Sequence, residues 1–532
     1  MQLILQLLRA AAKMINPGRI RSFFAALASA VRSGGAYWLL PALTSVLLIL
    51  SYPKFNQGWL AWLALAPLTY YILGCRSMKA ALAGGFGAGF LFYLGLLYWI
   101  YPTMRAGGVE PAVSALGLVL LAGLLSVEFA LPAAFGFYLK KAGPGAWPYV
   151  FAAGWTLMEW AKVSVNLKGV WFPWFTLAYT QWQYTGLIQV VSLTGLYGLS
   201  WAVCFTGALA GVTVYGRVRP LAALLRLAPA ILVVGGLWLY GSGVLKKIPA
   251  PAGSTVLKAA LLQPSIALYD KWEPARADEI ETRIEGLVKS AAGADLVVWP
   301  ENALPGWIEE KRWGDWVARL ARESRAYNLV GSVSRGDGRR VAAFLIDPAG
   351  AQEADYHKRV LVPFGEYVPF RDLLGKVIEP VAALGEFYPG AFTQKLMTVK
   401  GVNTSAVICY ESVFPFLFRA DAARGAQLFV NITNDGWYLD TAAPYQHLLV
   451  NVFRAVETRR PVLRAANNGI SALIDPYGRI AARLGLNAVG VLSAAAEIDP
   501  AAPQSFYVLN GDFFVYGCMM LCAAFLLAVL FL

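Results

Sequence analysis

The sequence predicts a polytopic α-helical membrane region of about eight spans joined to one polar α/β domain. Three observations carry that expectation. Of the 532 residues, 58% are hydrophobic and 14% charged, against roughly 25% charged in ordinary soluble chains, which excludes a wholly soluble protein. Long apolar runs recur through the first half and return at the end, most of them near the ~20 residues that a membrane span needs. From residue 257 the pattern changes to short apolar runs closed by Gly, Pro, Asn or Asp, which reads as strands.

Taken in order, residues 1–34 carry Arg9, Lys13, Arg19, Arg21 and Arg32 without an acid, and Pro17 with Gly18 interrupts their apolar stretch. No small-residue cleavage site follows, so this segment reads as a basic, cytoplasmic amphipathic extension. Residues 35–245 hold seven apolar runs, at about 37–52, 57–74, 80–101, 112–139, 148–161, 191–214 and 225–245, and an eighth occupies 512–532. Arg76 with Lys79, Lys140 with Lys141, and Arg217, Arg219 with Arg226 fall on alternate connections. The positive-inside rule puts those in the cytoplasm. Connections 102–111 and 162–190, and the polar domain 246–511, then face outward.

The formal charge of +13 has the same origin. Residues 1–250 hold 18 basic and 3 acidic side chains, and the remainder 27 and 29. The excess is a topology signal, and nucleic acid is not an expected partner.

Connection 162–190 crowds Trp171, Phe172, Trp174, Phe175, Tyr179, Trp182 and Tyr184 into a nearly uncharged stretch. It is either an aromatic belt at the lipid headgroups or a wall for a lipid substrate. Glu128 and Glu159 lie in or beside spans, where an acid marks either function or a helix-packing hydrogen bond.

In the polar domain, strands are expected at 257–263, 296–300, 329–333, 341–347, 405–408, 428–432, 461–465 and 471–475. Helix-period segments lie at 274–292, 309–326 and 445–459, so the domain is layered α/β. Of five cysteines only Cys409 lies here, where the run Ser405–Ile408 ends. A lone thiol in an oxidising compartment is a reactive group or simply a small buried hydrophobe. A thiol nucleophile needs a base and a stabiliser for the oxyanion. The histidines are His357 and His447, and the segment around His447 shows no acid–base signature. Glu301 and Lys358, by contrast, each follow an apolar strand as Cys409 does. Glu as base, Lys as oxyanion partner and Cys as acyl carrier form a sufficient set; an ion pair or turn cap would account for Glu301 and Lys358 equally.

The segments Leu-Val-Val-Trp-Pro-Glu301, Lys358-Arg-Val-Leu-Val-Pro-Phe-Gly-Glu366-Tyr and Cys409-Tyr-Glu-Ser, in that order, resemble the nitrilase (carbon–nitrogen hydrolase) superfamily. With seven spans before and one after, the chain resembles the apolipoprotein N-acyltransferase family. Asn431-Ile-Thr-Asn-Asp-Gly-Trp437, Arg464-Ala-Ala-Asn-Asn-Gly469 and Asp475-Pro-Tyr-Gly478 add to the likeness, as do Glu159-Trp-Ala-Lys, Phe172-Pro-Trp and Leu193-Thr-Gly-Leu-Tyr-Gly198.

The resemblance implies a nitrilase-like αββα sandwich, Glu301 as general base, Lys358 as transition-state stabiliser and Cys409 as nucleophile. It implies Glu366 as the acid that orients the lysine, Tyr410 and Glu411 as shapers of the site, and Trp272 and Trp437 as substrate contacts. Lys162, Val360 and Ser265 depart from the residues usual in the family; none touches the trio. The implied reaction moves an acyl chain from the sn-1 position of a phospholipid, through a Cys409 thioester, to the N-terminal amine of a diacylglyceryl apolipoprotein. The implied setting is the bacterial inner membrane, with the catalytic domain in the periplasm. No cofactor and no metal are expected. An amphipathic stretch, 367–392, is expected either to gate lipid entry or to pack over the domain. The rival readings are a membrane-tethered amidase or hydrolase and a transporter or receptor, the latter weakened by the lack of a charged pathway.

Overall fold

The computed structural model describes residues 37–166, 171–248, 254–267, 270, 273–336, 338–368 and 387–530. The extension 1–34, Trp272 and most of the 367–392 stretch lie outside the described residues.

The apolar runs fold as helices: α1 (Leu39–Ser51), α2 (Ala66–Gly74), α3 (Met78–Leu96), α4 (Pro111–Leu125), α5 (Val127–Tyr138), α6 (Gly143–Asn166), α7 (Val191–Tyr215) and α8 (Pro220–Lys246). Buried Gly84, Gly85, Ala88 and Gly89 make a small-residue face on α3, which packs on α5, the usual way for apolar helices to approach closely. Among the described residues, four helical stretches are long and apolar enough to cross a membrane: Met78–Leu96, Pro111–Lys141, Val191–Tyr215 and Pro220–Lys246. Leu39–Ser51, Gly58–Gly74 and Phe513–Val529 are shorter. Every expected run is therefore helical, and the expected number of eight spans is not shown.

Among the described residues, twelve strands form two six-stranded sheets, ordered β12-β1-β2-β3-β4-β5 and β11-β10-β9-β8-β7-β6. In chain order they are β1 (Thr255–Gln263), β2 (Leu296–Val298), β3 (Tyr327–Ser334), β4 (Arg340–Ile346), β5 (Gln352–His357), β6 (Met397–Val399), β7 (Val402–Ile408), β8 (Leu428–Thr433), β9 (Val462–Ala466), β10 (Ser471–Ile474), β11 (Ile480–Leu484) and β12 (Gly490–Ile498). Pairs β1–β2, β2–β3, β7–β8 and β8–β9 are parallel. Helices α9 (Ala277–Ser290), α10 (Lys311–Ser324), α11 (Pro415–Ala423) and α12 (Ala443–Thr458) complete the layers, and α13 (Phe513–Leu530) ends the described chain.

Side-chain alternation along the strands sorts them into three cores. Leu257, Leu261, Val298, Ile408, Val430 and Ala465 meet between the sheets. Ala260, Leu262 and Val297 face the other way, onto Ile280 and Ile284 of α9 and Trp316 of α10. Val407, Phe429 and Val462, on the outer face of the second sheet, join α11, α12 and the membrane helices in one continuous core. The expected αββα sandwich is present, and its last layer is fused to the apolar helices.

Candidate active site

Glu301, Lys358 and Cys409 each stand just past the end of a strand, β2, β5 and β7 respectively. The first two belong to one sheet and Cys409 to the other, so the trio meets at the seam of the sandwich. Close backbone packing seats Glu301: a Cβ on residue 331 would lie 2.2 Å from the Pro300 carbonyl oxygen and 2.8 Å from Glu301 Cα, so only Gly331 fits in β3. The Lys358 N–H extends the ladder by donating to the Val341 carbonyl at 2.8 Å. Cys409 has φ +52° and turns the chain out of β7 into a 3-10 turn.

Lys358 Nζ is 3.3 Å from Glu301 Oε1 and 2.5 Å from Glu366 Oε1. The Asn434 N–H donates to Glu301 Oε2 at 2.9 Å, and the Val362 N–H to Glu366 Oε2 at 2.9 Å. All three members of the trio are buried, and the Lys358 side chain is 1% exposed. Burial opposes the Lys358 charge, but the carboxylates of Glu366 and Glu301 outweigh it and hold the ammonium above the ordinary lysine range. Burial also raises the Cys409 thiol, and the Glu301 charge raises it further while Lys358 pulls it down. Burial lifts the Glu366 carboxyl above its usual range despite the ammonium beside it. The resting site is thus a protonated thiol beside a charged lysine clamped between two acids. Such a thiol needs a base to become a nucleophile.

Glu411 ties the two loops together. It is fully buried and accepts from the Ile408 N–H at 2.7 Å, the Arg359 N–H at 2.5 Å, the Val360 N–H at 3.2 Å and the Tyr356 hydroxyl at 2.7 Å. One carboxylate therefore locks the strand end bearing Cys409 to the segment bearing Lys358. Tyr410 stacks on Phe172 and Trp174, with ring centroids 5.8 and 6.1 Å apart. The aromatic connection consequently packs against the residue next to Cys409. Trp437, 44% exposed, sits on the turn Asp435–Tyr438.

Glu128 and Glu159 make packing bonds. Glu128 accepts from Tyr93 at 2.5 Å, Lys162 at 2.7 Å and Trp171 at 2.6 Å, and Lys162 also donates to the Phe175 carbonyl. Glu159 accepts from Trp155 at 3.1 Å and the Leu177 N–H at 2.8 Å. Both acids anchor the aromatic segment.

Sequence reasoning missed a polar cluster behind Cys409. His447, which showed no acid–base partner in its own segment, has Nδ1 at 2.8 Å from Asp435 Oδ1 and Nε2 at 3.1 Å from the Cys409 carbonyl oxygen. Arg464 donates to Asp435 at 2.7 Å and to Asn431 at 2.5 Å. Burial works against the Asp435 charge, yet Arg464 and His447 hold that carboxyl down at about 2. The available signal was the conjunction of the segments 431–437 and 464–469, whose likeness assigned no roles to Asp435 or Arg464.

Comparison with known proteins agrees with this architecture. The family model described as Carbon-nitrogen hydrolase matches residues 258–505, and that of the Apolipoprotein N-acyltransferase N-terminal domain matches 44–209. An apolipoprotein N-acyltransferase of Geobacter metallireducens is 36% identical over 91% of this chain and 93% of its own. One of Pseudomonas putida is 33% identical over 82% and 86%, and one of Methylococcus capsulatus 32% over 91% and 94%. An amidase of the nitrilase superfamily from Nesterenkonia aligns over 50% of this chain and 98% of its own, at 23% identity and TM-score 0.37. With both halves matched and the likeness running almost end to end, the chain belongs to the apolipoprotein N-acyltransferase family.

Proposed function

We propose that this chain N-acylates lipoproteins, using a phospholipid as acyl donor and Glu301, Lys358 and Cys409 as its catalytic residues. The observation that carries the reading is the seam itself: a buried thiol at a strand end, beside a lysine held between Glu301 and Glu366, in a domain whose outer layer shares one core with apolar helices. Glu301 removes the thiol proton as Sγ attacks the ester carbonyl of the donor. The Lys358 ammonium stabilises the oxyanion that forms. Collapse breaks the ester C–O bond; the departing alkoxide takes the proton from Glu301 and leaves as a lysophospholipid, with the acyl group now a Cys409 thioester. The N-terminal amine of a diacylglyceryl apolipoprotein then attacks the thioester, giving an amide and restoring the thiol. Two sequential half-reactions imply ping-pong kinetics. Glu366 orients the lysine, Tyr410 and Glu411 shape the site beside the thiol, and Trp437 and Trp272 are the substrate-binding residues.

The alternating positive charge of the short connections supports an inner-membrane protein with residues 246–511 on the periplasmic side. Anchoring both substrates in one bilayer raises their effective concentration at the thiol, and restricted water protects the thioester.

Purified protein in nanodiscs with acyl-labelled phospholipid tests the proposal. Label on Cys409 that a diacylglyceryl-cysteine peptide removes as an amide is the expected result. Label released only as free acid would assign a hydrolase instead, and no label on Cys409 would defeat both.

A further inference from the structure

Cys409 adopts a left-handed backbone, φ +52°, a conformation that costs a non-glycine residue roughly 1–3 kcal/mol and persists only where its surroundings enforce it. At such a residue the carbonyl leaves the strand ladder and needs other partners. The Cys409 carbonyl has two, both from fully buried side chains: His447 Nε2 at 3.1 Å and Asn431 Nδ2 at 3.5 Å. A carbonyl only accepts, so the Nε2 facing it carries the hydrogen.

The imidazole is itself fixed from three sides. Asp435 Oδ1 lies 2.8 Å and Arg464 Nη2 3.2 Å from Nδ1, and the Trp174 ring stands 5.5 Å away, centroid to centroid. Its neighbour on α12, Gln446, reaches the helical region. Gln446 Oε1 accepts from Trp99 Nε1 at 3.0 Å and Trp174 Nε1 at 3.1 Å, and its Nε2 donates to the Leu96 carbonyl at 3.4 Å. Two consecutive residues of one helix thus hold the backbone of the thiol residue on one side and the turns of the apolar bundle on the other.

We propose that His447 is a positioning residue for the nucleophile: by holding the Cys409 carbonyl it enforces the left-handed turn that directs the thiol, and through Gln446 that turn is kept in register with the apolar helices. The proposal rests on Cys409 being the acyl carrier. Its function is separate from proton transfer, because Nε2 meets the carbonyl of Cys409.

The test uses the full chain in phospholipid nanodiscs, with single-turnover acyl labelling of Cys409 as the readout. His447→Leu fills the space of the ring and donates nothing; His447→Gln places an N–H near the former Nε2. A misplacement of about 1 Å costs on the order of 100-fold in rate, so the Leu variant is expected to label about 100-fold slower and the Gln variant to recover to within about tenfold of wild type. The phospholipid concentration at half-maximal rate should stay unchanged in both, because no lipid contact is altered. A Leu variant labelling at the wild-type rate, or a folded Gln variant as slow as Leu, overturns the proposal. Should the Leu variant not fold, the Gln variant decides alone: recovery supports positioning, and a 100-fold loss with wild-type thermal unfolding overturns it. Failure of the underlying reading is seen separately, as acyl transfer that survives Cys409→Ser in the wild-type His447 background.

Discussion

Replacing Glu301 by Gln separates its two effects on Cys409, because they have opposite signs. The amide keeps the size of the carboxylate and an oxygen to accept the Asn434 N–H, now at 2.9 Å, but removes one charge. In the native site two carboxylates surround one ammonium, at 3.3 and 2.5 Å, for a net charge of −1 beside the thiol. The variant is neutral there. At an effective dielectric constant of about 20, the Lys358–Glu301 pair at 3.3 Å is worth about 5 kcal/mol, so Glu301 is a major part of the charge balance around the ammonium. Since the Glu301 charge is the main cause after burial that raises the Cys409 thiol, the variant's thiol ionises at lower pH. Alkylation by iodoacetamide at pH 8 therefore becomes faster. Acyl-enzyme formation becomes slower, by about 10²–10⁴-fold, the usual contribution of a positioned base. Both rates are read on the same protein, by mass spectrometry of the Cys409 peptide. A Gln variant that forms the acyl-enzyme at the wild-type rate would refute the assignment of Glu301 as base, and one whose alkylation slows would refute the effect of its charge on the thiol.

Two further outcomes follow from the buried carboxylates. Glu411→Gln turns an amide NH₂ toward donors that Glu411 now accepts from, among them the Ile408 and Arg359 N–H groups; leaving buried donors unpaired costs about 1–3 kcal/mol, to be read as a lower denaturant midpoint with slower labelling of Cys409. Glu457 on α12 accepts from the Leu196 N–H at 3.0 Å, and burial, partly offset by Arg454, raises its carboxyl from 4.5 to about 7. The folded state then holds a proton that the unfolded chain releases, so stability is greatest below about pH 4.5 and falls as pH rises through about 7. The loss is on the order of 3 kcal/mol. Glu457→Gln should flatten the change in unfolding temperature between pH 5 and 8; an unchanged slope would place the titration elsewhere.

The parts of the fold legible in sequence were those buried on both sides. β1, β3, β4, β7, β8, β9 and β10 run nearly continuously buried, β8 along its whole length, and their apolar runs announced them. β5, Gln-Glu-Ala-Asp-Tyr-His, is an edge strand with exposed polar positions, and β11 and β12 alternate small or exposed residues. Their pairing with neighbours distant in sequence supplies what their composition does not. β6 has three residues, too few for a periodic signal. Glu301 and Cys409 were legible because each lies just past an apolar strand, β2 and β7, whereas Lys358 follows the polar edge strand β5 and was found through its own segment's likeness. His447 was not, because its acid lies twelve residues away on another element and its target is a backbone carbonyl, which leaves no mark in sequence. The number of spans stays an expectation: hydropathy finds the apolar helices, but among the described residues Leu39–Ser51, Gly58–Gly74 and Phe513–Val529 are shorter than a span needs by length alone.

The core that the second sheet shares with the apolar helices bears on how a membrane-bound acyl donor could meet a buried thiol. Gly195, φ +61°, breaks α7 and frees the Leu196 N–H, which Glu457 of α12 accepts. Arg459, just past α12, donates to Gln189 at 2.6 Å and to Ser192 at 2.8 Å near the start of α7. The other end of α12 carries Gln446 and His447, bonded to the helical turns and to Cys409. One helix is thus bonded to the apolar bundle at both ends and to Cys409 at one of them. A flexible tether would let the sandwich drift relative to the bilayer, and the near-attack geometry that yields large effective molarities would be rare. With α12 as a strut and Val407 and Phe429 of the sheet packed into the same core, the distance from the lipid-facing helices to Cys409 is set by side-chain packing, which is close to incompressible.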